Sequence, residues 1–326
     1  MAFATLEKRI PFLVLPLALM TIQFSRQNIE TVFKAFTLST ALSCLVALAL
    51  TIIYFTNHPA EYYLEKALWY LPQTIDFHAP YLALYLVVAN ILCFYFFLAR
   101  KNVQFFSVLF ILNNVFLILI SSRTALLANW LFIIVISSYY LYKSKGIAIT
   151  ILNLIGIGAI LAIAYFNVPY LHTKLSKITE TAYGVNQRSV SARAAIEVIK
   201  DSPLWGVGIG DVHTELNSRL PDDTFKDMNV HNQYLQELMA VGLAGFVCFA
   251  AIFWVGYKKG LSKKDIVFSL FLTAFLFSFM TENIIDRHKG IMLLSLLYPL
   301  FLHLLLIKER EYSSQTEKRQ VLETRS

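Results

Sequence analysis

The chain is predicted to be an all-α polytopic membrane protein, and three observations carry that prediction. Of its 326 residues 57% are hydrophobic and only 15% charged. Its mean hydropathy of +0.59 lies outside the range of an ordinary soluble domain. The apolar residues collect in nine runs, interrupted by one long hydrophilic stretch, residues 167–236.

The runs are 10–24, 35–55, 80–98, 103–120, 125–142, 147–166, 237–256, 266–281 and 290–307. Several are near the lower limit of about 17 residues for crossing a bilayer, and the first is below it. About nine transmembrane helices are therefore expected, with one long segment outside the membrane that contains amphipathic helices. The first run follows Lys8 and Arg9 as a secretory leader would. However, Ser25-Arg26-Gln27 offers no small-residue cleavage site and another run follows at once, so it reads as a retained span.

Orientation comes from the connections. Arg26 and Lys34, Arg100 and Lys101, Lys143 and Lys145, the lysines 258, 259, 263 and 264, and the basic residues after Lys308 fall on one side if all nine runs cross. That side is predicted to be cytoplasmic, because short cytoplasmic loops are enriched in Lys and Arg. The opposite side receives the loop 56–79, the corner 122–124, the segment 167–236 and the turn 282–289. The same parity puts the N-terminus outside, in spite of Lys8 and Arg9. Residues 1–307 read as a single transmembrane domain, and 308–326 as a polar cytoplasmic tail, expected to be disordered.

The composition also excludes functions. The net charge of +7 is dispersed over short loops, where orientation accounts for it, so no nucleic-acid partner is expected. Cys44, Cys93 and Cys248 sit inside apolar runs without metal-ligand spacing and read as small buried hydrophobes.

Candidate chemistry gathers on the outer side. Arg123 stands in Ser121-Ser122-Arg123-Thr124-Ala125 between two apolar runs, with no acidic residue within twenty positions. An arginine there needs a partner or a polar cavity, and its planar fork suits an anionic diphosphate; snorkelling to headgroups is the plainer alternative. Residues 188–200 have helical periodicity and end before Ser202-Pro203, so they read as a helix along the membrane surface. In it Arg193 and Glu197 are spaced as a surface pair. Arg188 has no such partner and opens the helix, where a cation opposes the helix dipole unless an anion lies between.

Leu204-Trp205-Gly206-Val207-Gly208-Ile209-Gly210-Asp211 lacks the spacing and the strand of a nucleotide loop. It reads instead as a tight glycine turn that lets backbone approach a ligand or a helix. Asp222, Asp223 and Asp227 read as a solvated acidic loop rather than a metal site. His231, at the end of the polar segment, is the natural general base, although a histidine at a helix start is often only a cap or a packed ring. Asn232 follows it, and His78, before the third run, is a weaker candidate for substrate contact. His172, His213, His288 and His303 have no informative context.

Taken together, these motifs resemble the O-antigen ligase and polymerase superfamily of bacterial envelopes. Ser122-Arg123-Thr124-Ala125 is similar to its S-R-x-A corner. Arg188 stands fifteen residues before Pro203 of a P-L-x-G-V-G-x-G stretch. His231-Asn232-Gln233-Tyr234-Leu235-Gln236 is similar to H-N-x-Y-L-Q, and Gly242-Leu243-Ala244-Gly245 follows it. The resemblance runs from about residue 75 to 305. Ala192 stands where the family commonly has tryptophan, and members usually carry more N-terminal spans, so the chain looks short at its start.

The resemblance implies transfer of a glycan from an undecaprenyl-diphosphate carrier to an acceptor hydroxyl, lipid A-core for a ligase or a growing glycan for a polymerase. It implies a multi-pass protein among the lipids of the bacterial inner membrane, with its site facing the periplasm. Arg123 and Arg188 would hold the diphosphate, with Asn232 and His78 contacting substrate. His231 would take the acceptor proton, the anomeric carbon would invert, and no metal or cofactor is required. A transporter is the alternative from another class. It should show polar residues and broken helices at mid-membrane.

Overall fold

The structure is a computed structural model and describes residues 2–167, 182–221, 225 and 228–323. The helices are α1 (Ala2–Thr21), α2 (Arg26–Asn57), α3 (Leu64–Tyr70), α4 (Ala79–Leu98), α5 (Val103–Ile120), α6 (Arg123–Lys145) and α7 (Ile147–Asn167). They continue with α8 (Ala182–Asp201), α9 (Val212–Ser218), α10 (Gln233–Ser262), α11 (Ile266–Phe279) and α12 (His288–Glu323). Among the described residues there is no strand, and seven helices are long and apolar enough to cross a membrane: α2, α4, α5, α6, α7, α10 and α12. The chain is thus an all-α polytopic membrane protein. The two remaining runs fall in helices outside that seven. The first lies in α1, whose initial turns carry Glu7, Lys8 and Arg9, and the eighth forms α11, only 14 residues long. At 1.5 Å per residue α11 reaches about 21 Å, short of the roughly 30 Å hydrocarbon core.

The helix α4 is apolar all round and has no polar face to turn outward, so it takes the centre. It packs against α2, α5, α6 and α11, while α7 is applied to the outside of α6. A polar ladder crosses this apolar core. The Asn90 amide donates to Asn129 Oδ1 at 2.9 Å, the Asn129 amide to Asn114 Oδ1 at 2.8 Å, and the Asn114 amide to the Phe110 carbonyl at 2.8 Å. Three helices are pinned in register, since an unpaired amide in hydrocarbon is unfavourable.

Basic residues meet carboxylates at one end of the bundle. Arg26 and Lys101 contact Glu30, Lys308 contacts Asp265, Lys263 contacts Glu309, and Arg26 also reaches Glu311. At the other end Arg9 contacts Glu237 at 3.1 Å and Asp286 at 2.6 Å. Arg9 is thus paired with two carboxylates from distant parts of the chain.

The outer segment folds onto the start of α10. Ala194, Ala195, Val198, Val212, Leu216, Val230, Met239 and Ala240 make a second small core between α8, α9 and α10. The run 237–256 is not one continuous helix, because α10 breaks at Gly242, with φ 61° and ψ −168°. An unbroken helix would bond the Leu243 and Ala244 N–H groups to the Met239 and Ala240 carbonyls. Instead, the loop before α9 replaces both partners. Val207 and Gly208 donate to Met239 and Ala240 at 2.8 and 3.0 Å, and Leu243 and Ala244 donate to Pro203 and Leu204 at 2.8 and 3.1 Å. The two carbonyls and two N–H groups that the break separates are thus all paired.

So close a crossing requires glycine on both sides. A Cβ at Gly206 would lie 2.5 Å from the Met239 carbonyl oxygen, and one at Gly242 would lie 2.4 Å from that of Leu204. Both residues also have positive φ. Gly206→Ala or Gly242→Ala is expected to destabilise the protein by roughly 2–4 kcal/mol, adding overpacking to left-handed strain. Thermal unfolding in detergent checks this, and an unchanged midpoint for both variants would refute the crossing.

Several expectations are corrected. The helix carrying Arg188 begins six residues earlier, at Ala182, and runs through Gly184 in spite of that residue's low helix propensity. Arg193 and Glu197 are both exposed, and among the described residues no ion pair joins them. Cys248 is exposed on the outer face of α10 rather than buried. The tail continues α12 as helix to Glu323, since no Pro or Gly stops it after Pro299. His172, Asp222, Asp223 and Asp227 lie outside the described residues.

Candidate functional site

The four residues Met280, Thr281, Glu282 and Asn283 between α11 and α12 join the parts that the sequence left separate. The Thr281 hydroxyl meets that of Thr124 at 2.9 Å, which fixes the N-terminus of α6 beside this turn. Asn283 Oδ1 accepts the Asn232 N–H at 2.8 Å, and its carbonyl accepts the Tyr81 hydroxyl at 2.8 Å. The Tyr234 hydroxyl bonds the Leu276 carbonyl at 2.9 Å, one turn earlier.

On this platform His231 Nδ1 lies 3.2 Å from Glu282 Oε2. The side chain of Glu282 is 11% exposed and that of His231 39%, so the carboxylate is screened while the ring remains reachable. His231 sits in the left-handed region, with φ 48°. That conformation is unfavourable for a side-chain-bearing residue by about 1–2 kcal/mol, and such outliers collect where a site demands a particular direction. It is held by bonds on both sides: Asn232 Oδ1 caps α10 by accepting from Leu235 N–H at 3.1 Å, and the Asn232 amide reaches the Met280 carbonyl at 3.4 Å. The carbonyl oxygen of Asn232 is therefore occupied by the cap.

Glu282 has a second neighbour. Arg188 Nη2 lies 3.8 Å from its Oε1, with the arginine side chain 55% exposed. Arg188 thus has a carboxylate near it, one supplied by a distant turn and not by its own helix. Arg123 stands at the first position of α6, where Ser122 supplies no side-chain cap. Its guanidinium feels the like charge of Arg188. A cation at a helix N-terminus beside a second cation is an unfavourable arrangement that a bound anion would reverse. Among the described residues, no carboxylate lies within 4 Å of Arg123 to offset it.

A third layer lies behind. Gln233 Nε2 donates to Glu237 Oε1 at 2.8 Å, and Gln233 Oε1 accepts the Ile285 N–H at 2.8 Å. Arg9 joins Glu237 to Asp286, so α1 ties the start of α10 to the segment that follows Glu282. Beside the platform a cleft of about 810 Å³ opens, lined by residues including His78, Tyr81, Asn229, Asn283 and Arg287. His78 therefore lines this cleft, as do Asn229 and Asn283 from the segments that carry His231 and Glu282, whereas His231 and Glu282 themselves do not.

Arg123, Arg188, His231 and Asn232 accordingly come to one end of the bundle. Glu282, Thr281 and Asn283 are the residues that sequence reasoning missed. Their only signal was three consecutive polar residues where the run 266–281 passes into the turn 282–289, expected on the outer side. Among the described residues no three His, Cys, Asp or Glu side chains converge as metal ligands would.

Residues 105–250 match the family model described as O-antigen ligase. The match runs from α5 to the middle of α10 and includes Arg123, Arg188, the 203–210 loop and His231. It supports the resemblance to the O-antigen ligase and polymerase superfamily of membrane glycosyltransferases over that region. No curated protein matches the chain.

Proposed function

We propose that the protein transfers a glycan from an undecaprenyl-diphosphate carrier to an acceptor hydroxyl at the periplasmic face of the bacterial inner membrane, with lipid A-core as the acceptor. The observation that carries this reading is the meeting of His231–Glu282 with two like-charged guanidiniums, Arg123 and Arg188, at one end of a membrane bundle. The arginines receive the diphosphate, with bidentate geometry that a point charge lacks. Glu282 accepts the Nδ1–H of His231, which leaves Nε2 as the basic nitrogen. Nε2 takes the proton of the acceptor hydroxyl while its oxygen attacks the anomeric carbon from the face opposite the diphosphate. The carbon–oxygen bond to the diphosphate breaks, and the electron pair leaves on undecaprenyl diphosphate, whose charge the arginines neutralise. The resulting imidazolium is stabilised by Glu282, as in other carboxylate–histidine pairs. The anomeric centre inverts, and the scheme has no step that calls for a metal.

The same residues serve a polymerase, which differs in its acceptor. A transporter reading would draw on the break at Gly242, but that break is closed by the chain's own loop. Purified protein in proteoliposomes, given undecaprenyl-diphosphate-linked glycan and lipid A-core, is expected to yield glycosylated lipid A-core. Lengthening on the carrier alone would mean polymerase, and no transfer of either kind would sink the reading. For orientation, a reporter fused near Pro221 is expected to read periplasmic and one after Lys145 cytoplasmic. One common side for both would overturn it.

A further inference from the structure

We propose that the cleft of about 810 Å³ whose wall includes Asn229 and Asn283, from the segments that carry His231 and Glu282, is an acceptor subsite that selects glycans bearing a phosphate group. This rests on the glycosyltransferase reading only for the word acceptor; the phosphate preference follows from the cleft itself. Its volume falls within the ordinary range for sites that take a ligand of several rings.

The charges on its wall are unbalanced. Lys8, Arg287 and Lys289 line it together with His78 and His288, against the two carboxylates of Asp76 and Asp286. Both carboxylates already face a cation. Lys289 Nζ lies 3.0 Å from Asp76, and Asp286 lies 2.6 Å from Arg9, behind the wall. Lys8 and Arg287 remain, and among the described residues neither forms an ion pair within 4 Å. Arg287 is exposed to the cleft, yet it lies against the Tyr81 hydroxyl, itself bound to the Asn283 carbonyl. A held guanidinium and a nearby ammonium form the donor set that a phosphate monoester takes, the first by its fork and the second as a point charge.

The position fits an acceptor better than a donor. Asn229 and Asn283 belong both to the cleft wall and to the segments that carry His231 and Glu282. Arg123 and Arg188, the proposed diphosphate ligands, do not line it, and neither do His231 and Glu282, which its wall reaches only through the neighbouring Asn229 and Asn283. The two anion sites would then sort donor from acceptor by place, although both ligands carry phosphate.

The test is a binding measurement on the full chain in detergent, without donor, so a failure to detect transfer leaves it untouched. The probes are a phosphorylated hexose oligosaccharide and the same oligosaccharide after phosphatase treatment. The unmodified protein is expected to bind the phosphorylated form at least tenfold more tightly. Arg287→Gln combined with Lys8→Gln is expected to abolish that preference, and Arg287→Lys to weaken it only in part, since the charge remains while the fork is lost; unchanged binding of the dephosphorylated oligosaccharide by both variants excludes misfolding as the cause. Arg123→Lys and Arg188→Lys are expected to leave it intact. Equal binding of the two oligosaccharides by the unmodified protein would overturn the proposal. So would a preference that survives in the cleft variants and disappears with Arg123→Lys or Arg188→Lys, since the phosphate would then sit on the donor's arginines.

Discussion

Glu282→Gln is expected to lower transfer by about 10²–10⁴-fold while donor binding survives, the range in which general-base help and its orientation act. Glutamine keeps the shape of the side chain, but it cannot carry the charge that steadies an imidazolium. Its amide can also present N–H toward His231 Nδ1, 3.2 Å away in the unmodified protein, and so turn the ring into the wrong tautomer. His231→Ala removes the base itself and is expected to abolish transfer to the same floor. Because base and orienter act as one unit, the double variant should be scarcely worse than His231→Ala alone. Donor binding, measured with the carrier-linked glycan, should persist in all three, because the diphosphate is assigned to Arg123 and Arg188. Near-normal transfer by His231→Ala would remove the base assignment. Losses that multiply in the double variant would show that Glu282 acts elsewhere, through its contact with Arg188 at 3.8 Å.

The outline of this site was legible in the sequence, and its centre was not. Arg123 announced itself because an arginine between two apolar runs has few bland explanations. The glycine loop was legible as a close backbone approach, since three glycines at alternate positions serve little else. What it approaches was hidden, because a glycine at 242 inside an apolar run is tolerated in a continuous helix and does not by itself mark a break. Glu282 was hidden for a different reason. It is 51 residues from His231 and sits in a turn whose residues look like any short outer connection. The packing of α11 against α4, α6 and α10 itself brings that turn over the start of α10. Arg9 shows the same limit, since its partners are 228 and 277 residues away and local charge rules read it as a cytoplasmic residue. Periodicity reports which face of a helix is apolar, and carries no record of which distant loop lies at its end.

Arg123→Lys and Arg188→Lys are each expected to lower transfer by about 10²–10³-fold, the penalty seen when one preorganised charge donor is removed from a transition state. Net charge is unchanged in both, so long-range attraction of the donor stays, and the loss isolates the bidentate fork. The two should differ in kind. Arg123 has the helix N-terminus behind it and no carboxylate within 4 Å among the described residues, so its substitution should weaken donor binding as well as turnover. Arg188 shares Glu282, and its substitution should also disturb the orientation of His231, so the loss should fall more on turnover. Arg193 supplies the internal control. It lies on the same helix, exposed, and Arg193→Lys is expected to stay within about twofold, as surface substitutions away from a network usually do. Kinetics on the reconstituted protein, with the carrier-linked donor varied at fixed acceptor, separate these outcomes. If Arg193 proved more sensitive than Arg188, the arginine assigned on α8 would be wrong. If all three tolerated lysine, the diphosphate would be held by something other than a guanidinium fork, and the charge balance of the proposed leaving group would have to be sought away from α6 and α8.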